Sequence, residues 1–376
     1  MKKVLFVIES LGGGGAEKVL TTIVKYLDKT KFDITVLLVT ETGVYVDEVK
    51  KYCKVKSMLP KYEDLNSVSE RIRYKLHYKY IYSASPEKVY SKYVKEKYDI
   101  EIAFVEGFAT KLVSASKNSE SKKLAWVHID MVKNPYADKY FKNIAEEKTV
   151  YNRYDRVVCV SNSVKEVLDA KFDLKNKSIV IYNPVDTKEI IKKSAEKITK
   201  KKALGIQLVT VGRLEMQKGY DRLIKALGKL KQQNTELNLW ILGEGSMRDE
   251  LELLIKENHL EDNVSLLGFQ ENPYKWISQA DAFVCTSRAE GFSLVIAEAI
   301  VLEKPILSVN CSGPNELLDY GKYGILVENT DSEILNMLDQ LICDKINLDN
   351  LTKLSKLRVE YFNIKNIMQQ VEELMK

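Results

Sequence analysis

Several short stretches place chemically capable residues where an apolar run gives way to a helical one. In the second half, Val209-Thr210-Val211-Gly212-Arg213-Leu214 sets Arg213 just past an apolar run, and Lys218 follows five residues later, ahead of a helical stretch at 220–230. Residues beyond the carboxyl ends of parallel strands line the ligand crevice of an α/β domain. Two cations there can hold a diphosphate, the guanidinium by bidentate bonding and the ammonium as a point charge. Taken singly, such a pair is more often a solvated loop. Leu242-Gly243-Glu244-Gly245-Ser246 is a second strand-to-helix turn, with an acid between glycines. A third, Ser287-Arg288-Ala289-Glu290-Gly291-Phe292-Ser293, leads into a helix at 294–302, with Glu290 in the turn and Glu298 inside the helix. In one continuous helix that spacing spans about 12 Å, but a bend at Gly291 lets both carboxylates face one cleft. Finally, Cys311-Ser312-Gly313-Pro314-Asn315-Glu316 opens a helix whose first-turn N–H groups are expected to stand free near the same cleft.

The first half has one comparable feature, Gly12-Gly13-Gly14-Gly15-Ala16-Glu17, directly after an apolar run and before a helix. Glycines there admit a close ligand, and a helix N-terminus favours phosphate. The dinucleotide fingerprint G-x-G-x-x-G fails, because its third glycine falls on Glu17 or Lys18, and no G-K-[ST] completes a Walker loop. A tight turn without a ligand is the competing reading, and alone the signal is weak.

These turns need a scaffold, and the remaining pattern supplies one. Strands are predicted at 4–8, 34–40, 100–104, 124–128, 156–160 and 179–182, with a helix at 16–27 and helical stretches between most of the others. Continuous apolar runs separated by helices mark a parallel sheet covered on both faces. The pattern stops at Asn183-Pro184, and the Lys-rich stretch 185–202 reads as an interdomain linker region. A second series follows at 207–211, 237–242, 264–267, 282–285, 305–309 and 324–327, and a lone helix closes the chain at 363–375. The fold class is α/β, with two doubly wound Rossmann-like domains, 1–184 and 185–358, facing a central cleft. The segment 359–376 is expected to pack back on the first domain.

Composition bounds the rest. With 376 residues, 45% hydrophobic and 30% charged, the chain is an ordinary globular protein of two domains. Its five cysteines lack metal-finger or disulfide-framework spacing. No apolar run approaches the length of a spanning helix, and Met1 leads directly into a strand-like run, so a cytoplasmic protein without a signal peptide is expected. Residues 1–185 hold 33 Lys and Arg against 24 Asp and Glu, whereas the remainder is net acidic. That imbalance points to an anionic partner for the first half, unless it reflects only a Lys- and Tyr-rich genome.

The ordered set of motifs resembles family 4 of the glycosyltransferases, the retaining enzymes of the GT-B fold. The E-x7-E motif stands as EGFSLVIAE, Glu290 to Glu298. VGRLEMQKGYDRLIKAL, GEGSMRDEL, ADAFVCTSRAEGFSLVIAEA and SGPNELLDYGKYGILV follow the family's order and spacing, and GGGGAEKV, WVHID, VCVSNSVK and YNPVD are similar to its first-half pattern. The resemblance covers most of 1–330 and is weakest at 44–98. It implies that Arg213 and Lys218 hold the donor diphosphate and that Glu290 bonds the donor sugar and Glu298 the ribose. Gly14 and Gly15 would close on the diphosphate, and His128 would face the donor sugar near the reacting centre. Ser312, Gly313 and Asn315 would add donors, and Gly212 and Glu244 would complete the donor site. No D-x-D occurs in the chain, so the two cations would replace a metal and no cofactor is expected.

The donor implied is a nucleoside diphosphate sugar, UDP-linked by family frequency with GDP left open. The acceptor expected is a saccharide or a polyprenyl-diphosphate-linked saccharide in bacterial surface polysaccharide synthesis, the lipid link being suggested by the basic first half and by the segment 70–82. Residues 70–82 carry Arg71, Arg73, Lys75 and Lys79 among four tyrosines, with Ile72 and Leu76 near one helical face. Such a helix fits docking to an anionic membrane surface at the inner face of the cell membrane. A solvated basic helix explains it equally well. The competing readings are a sugar-nucleotide epimerase of the same fold and a non-catalytic sugar-nucleotide-binding subunit. Nucleic-acid binding would leave the second-half residues unexplained.

Overall fold

The computed structural model describes residues 1–198, 200, 202–231 and 237–376. The chain divides into two units, one of Met1–Pro184 with Lys365–Lys376 and one of Val185–Ile364. Each is built on a wholly parallel sheet. The first sheet takes strands β1 (Lys2–Ile8), β2 (Phe32–Thr40), β3 (Lys54–Leu59), β4 (Ile100–Ala103), β5 (Lys122–Val127), β6 (Arg156–Cys159) and β7 (Ser178–Val180) in the order β3-β2-β1-β4-β5-β6-β7. The second takes β8 (Ile206–Val211), β9 (Leu237–Leu242), β10 (Val264–Leu266), β11 (Ala282–Cys285), β12 (Ile306–Val309) and β13 (Ile325–Val327) in the order β10-β9-β8-β11-β12-β13.

The apolar runs form central strands because both of their faces are covered. Val4–Ile8 are buried at every position, as are Leu237–Leu242. The covering helices repeat at three and four residues instead. In the helix Gly15–Tyr26, Val19, Leu20, Ile23 and Val24 are buried. In both sheets the strand order reverses, between β1 and β4 and between β8 and β11. Loops leaving such a pair diverge to opposite faces and leave a crevice at the carboxyl ends.

Three elements differ from the sequence reading. The stretch read as linker contains a helix, Thr187–Ser194, capped by Asp186 accepting from Glu189 N at 3.0 Å and anchored by buried Ile190. The seven lysines of 185–202 hide the D-x-x-E cap; residues 199 and 201 of that stretch lie outside the described residues. Strand β3 went unassigned because Lys54 and Lys56 interrupt its apolar pattern. It is an edge strand, where lysines are tolerated, and Lys54 pairs with Asp33 at 3.1 Å across to β2. The helix expected at 70–82 spans Val68–Ser83, started by a reciprocal Ser67–Glu70 capping box. It buries only Ile81, while Ile72 and Leu76 stand 55% and 62% exposed.

The terminal helix Ile364–Leu374 buries Ile367, Met368 and Val371. Its Glu372 pairs with Lys31 at 2.9 Å and accepts from Asp28 N at 3.3 Å, both in the first unit.

Candidate active site

In the second unit the chemically capable residues leave the carboxyl ends of β8, β11 and β12. Gly212 and Arg213 follow β8; Arg213 is exposed and has no carboxylate within ion-pair distance among the described residues. A short 3-10 turn, Met216–Lys218, then presents Lys218. Its ammonium donates to Glu290 Oε1 at 2.6 Å, and Ser287 Oγ donates to the same oxygen at 2.7 Å. Burial alone would push the Lys218 ammonium down. The Glu290 charge and hydrogen bond outweigh it, leaving the ammonium above its ordinary value and charged.

The turn bearing Lys218 and the loop bearing Glu290 are laced together. Arg288 N donates to Gln217 O at 2.7 Å, and Gln217 Nε2 donates to Ala289 O at 2.8 Å. Arg288 also grips Asp221 with two bonds of 2.8 Å. Behind them, buried Arg222 donates to Thr286 O at 3.1 and 2.6 Å and to Asn329 Oδ1, while Asn329 Nδ2 donates to Ser287 O at 3.3 Å. Thr286 Oγ1 donates to Gly219 O at 3.0 Å. The sequence singled out none of Arg222, Thr286 and Asn329. Their partners lie 42 to 107 residues away, where no spacing rule reaches.

Other expected residues sit nearby in differing states. Glu298 is buried within the helix Leu294–Val301, and Tyr274 donates to it at 3.3 Å. Glu244 accepts from Arg248 at 2.9 Å. A side chain on Gly212 would run into the Tyr220 hydroxyl and the Lys218 stem, so glycine here makes room for the cation. Ser312 opens the helix Ser312–Leu317. The expectation of free N–H groups there fails at Gly313, whose N–H donates to Glu290 O at 3.1 Å. That approach exists because a Cβ on Gly313 would meet the Phe292 backbone at 2.6 Å. Asn315 Nδ2 donates to Asn310 at 2.5 Å, while its buried Oδ1 has no partner among the described residues. Ser293 Oγ is also buried without one, on a residue at φ +66°.

In the first unit the glycine cluster ends with Gly14 capping the helix Gly15–Tyr26, and the Glu17 carboxylate folds back against Gly14. His128 follows β5, its Nε2 at 2.9 Å from Phe104 O. A carbonyl only accepts, so Nε2 carries the proton and Nδ1 is left as an acceptor. Burial lowers this imidazole to about 4, keeping it neutral. Arg71, Arg73, Lys75 and Lys79 are all exposed on the helix Val68–Ser83.

Sequence reasoning missed Glu106, which leaves β4 as Arg213 leaves β8. It is buried, accepts from His128 N at 3.0 Å, and is pushed up to about 7 by burial and by the charges of Glu9 and Glu17. An acid directly after an apolar strand was the available signal. The shift has a definite sign. Between pH 4.5 and 7 the unfolded chain gives up this proton while the folded protein keeps it, so stability falls with rising pH, by about 3 kcal/mol at most. Glu106→Gln is therefore expected to raise the melting temperature at pH 8 by several degrees and to change it little at pH 4.5. An equal shift at both pH values in thermal denaturation would count against this.

Two Rossmann-like parallel-sheet units, with reactive side chains gathered at a strand-order reversal, define a protein of the GT-B class. A family model described as Glycosyl transferases group 1 matches residues 188–358, and one described as Glycosyltransferase Family 4 matches residues 13–189. Over 354 residues the chain is 30% identical to the N-acetylgalactosamine-N,N'-diacetylbacillosaminyl-diphospho-undecaprenol 4-alpha-N-acetylgalactosaminyltransferase of Campylobacter jejuni, covering 92% of each. Among solved structures, Anabaena HepE in complex with UDP-glucose matches with a TM-score of 0.74 at 21% identity, over 100% of this chain and 99% of that one. Sucrose-phosphate synthase of Thermosynechococcus elongatus matches at 0.78 and 15% identity, over 100% and 98%. These two share the fold. The chain belongs to glycosyltransferase family 4 and is a glycosyltransferase.

Proposed function

We propose that this glycosyltransferase moves a hexose-type sugar, with retention of configuration, from a UDP-sugar to a saccharide or polyprenyl-diphosphate-linked saccharide in bacterial surface polysaccharide assembly. The observation that carries the reading is the Lys218–Glu290 pair with the exposed Arg213 acting on the same ammonium. Breaking the bond between the anomeric carbon and the diphosphate oxygen leaves negative charge on the leaving group. Fixed cations are what such a transition state requires. Donor binding would exchange the Lys218–Glu290 contact for Lys218 on phosphate and Glu290 on sugar hydroxyls. Each group would gain a partner as it loses one. In a same-face displacement the leaving phosphate oxygen takes the proton of the acceptor hydroxyl, so no protein base is needed. Neutral His128 can accept from a sugar hydroxyl through Nδ1. Support for the acceptor class comes from the Campylobacter relative, whose name specifies a diphospho-undecaprenol-linked saccharide.

With Arg213 and Lys218 neutralising the leaving group, transfer is expected to be undiminished in EDTA. The test incubates the protein with UDP-sugars and polyprenyl-diphosphate-linked saccharides and reads the new linkage by NMR. An α-linked product from an α-linked donor, formed in EDTA, is expected. Inversion, or loss of turnover restored specifically by a divalent metal, overturns the corresponding part of the reading.

Contact with a membrane would fall to the helix Val68–Ser83. Among the described residues no helix is long and apolar enough to cross a membrane. This one exposes Val68, Ile72 and Leu76, one turn apart, beside Arg71, Lys75 and Lys79. Apolar side chains among cations suit an anionic lipid surface. Cosedimentation with phosphatidylglycerol vesicles is expected, and it should be lost when Arg71, Arg73, Lys75 and Lys79 are all changed to Glu. Equal sedimentation of that variant would count against the segment.

A further inference from the structure

A file of aromatic rings runs through the first unit. Tyr74, Tyr78 and Tyr82 lie one turn apart on the helix Val68–Ser83, with ring centroids 6.4 and 4.9 Å apart. Tyr82 continues to Tyr140 at 6.2 Å, and Tyr140 to Tyr136 at 5.8 Å. The phenols of Tyr82, Tyr136 and Tyr140 converge on one carboxylate, donating to Glu9 at 2.7, 3.1 and 3.2 Å. Glu9 is the first residue past β1, at the reversal of strand order, where its charge also acts on Glu106.

Core packing accounts for only part of this arrangement: Tyr82 and Tyr140 lie 4.5 and 6.2 Å from the ring of buried Phe108. Tyr78 and Tyr136 are 45% and 42% exposed, and Glu9 is only half-buried. Burial and the Glu9 charge push the Tyr136 phenol up to about 12, and move those of Tyr82 and Tyr140 further the same way. All three stay protonated, and so remain donors, at any physiological pH.

We propose that the file is the acceptor track: sugar rings of the acceptor saccharide lay their C–H faces on Tyr78 and Tyr136, its exposed members, and exchange hydroxyl hydrogen bonds with the phenols and Glu9. The proposal rests on the glycosyltransferase reading and names the surface that its acceptor uses. A pyranose has an apolar C–H face bounded by hydroxyls, so it fits a flat ring that carries a polar tip. Tyrosine provides both, with little side-chain freedom to lose. The Glu9 carboxylate has about four acceptor sites, and with the phenols of Tyr82, Tyr136 and Tyr140 on it there is room for a sugar hydroxyl as well. A nucleic-acid strand would also stack on such rings, but its phosphates would meet the charge of Glu9 at the end of the file.

The test passes the full chain over an array of immobilised bacterial saccharides of two to six residues. The strongest saccharide is then titrated against wild type, Tyr78→Ala, Tyr78→Phe and Glu9→Gln, with UDP binding measured in parallel. Tyr78 is exposed, so its variants are expected to fold. At least tenfold weaker saccharide binding is expected for Tyr78→Ala and Glu9→Gln, with near wild-type binding for Tyr78→Phe. Saturation transfer from aromatic protons to sugar ring C–H protons is expected in the wild type and should fade in Tyr78→Ala. The track is overturned if the wild type binds UDP but no saccharide, if Tyr78→Ala binds as tightly as wild type, or if oligo(dT) outcompetes every saccharide. Failure of the wild type to bind UDP would instead strike the UDP-sugar donor reading.

Discussion

Lys218→Met is expected to lower kcat by a factor of about 10² to 10³, the usual cost of removing one preorganised charge from a developing anion. Glu290→Gln should be comparably impaired. Each single change also destabilises the protein, because it strands the other member of a pair whose side chains are only 18% and 9% exposed. Removing one partner of such a pair costs about 3 kcal/mol, which for a unit of this size is roughly 6–12 °C in melting temperature. The double variant Lys218→Met/Glu290→Gln leaves no stranded charge and should recover most of that loss. Activity should not return with it. Rates of transfer and melting curves for the three variants therefore separate chemistry from stability. A single variant within tenfold of wild type, or a double variant that regains turnover, would contradict the roles given to the pair.

Gly219→Val should produce the largest loss of stability. Gly219 sits at φ +68°, where a β-branched residue is strained, and a Cβ there would lie 2.1 Å from Thr286 O and 2.8 Å from Arg222 Nε. The turn cannot retreat, because Thr286 Oγ1, Arg222 and the Gln217–Ala289 and Arg288–Gln217 bonds fix it to the neighbouring loop. A loss of about 4 kcal/mol follows from overpacking added to backbone strain. Gly15→Ala is the control: nothing lies within 4 Å of its Cβ position, and its stability should match wild type. Thermal denaturation of both variants checks the contrast, and a Gly219→Val protein melting with wild type would refute it.

Both predictions depend on contacts that a sequence reading can reach only in part. The parallel sheets were legible because their strands are continuous apolar runs; Leu237–Leu242 and Ala282–Cys285 fall where the pattern put them. Strand-end turns such as Gly212-Arg213 and Glu290-Gly291 were visible for the same reason, since a strand's end is where its pattern stops. What stayed hidden is pairing at a distance. Lys218 and Glu290 meet across 72 residues, and Tyr82, Tyr136 and Tyr140 reach Glu9 across 73 to 131. Single acids such as Glu9 and Glu106 are marked only by their place just past an apolar strand, with no second residue at a fixed spacing. The Gly313 N–H was misjudged because a helix start suggests free donors, whereas here the Glu290 loop carbonyl packs against it.

The central claim is that the Lys218 turn and the Glu290 loop form a metal-independent site for a nucleoside diphosphate sugar. Calorimetric titration of UDP into wild type and Lys218→Met, in EDTA, tests it most directly. Binding by wild type that weakens at least tenfold in a folded Lys218→Met protein is the expected result. Equal affinity of the two proteins, or wild-type binding that appears only when a divalent metal is added, would contradict it.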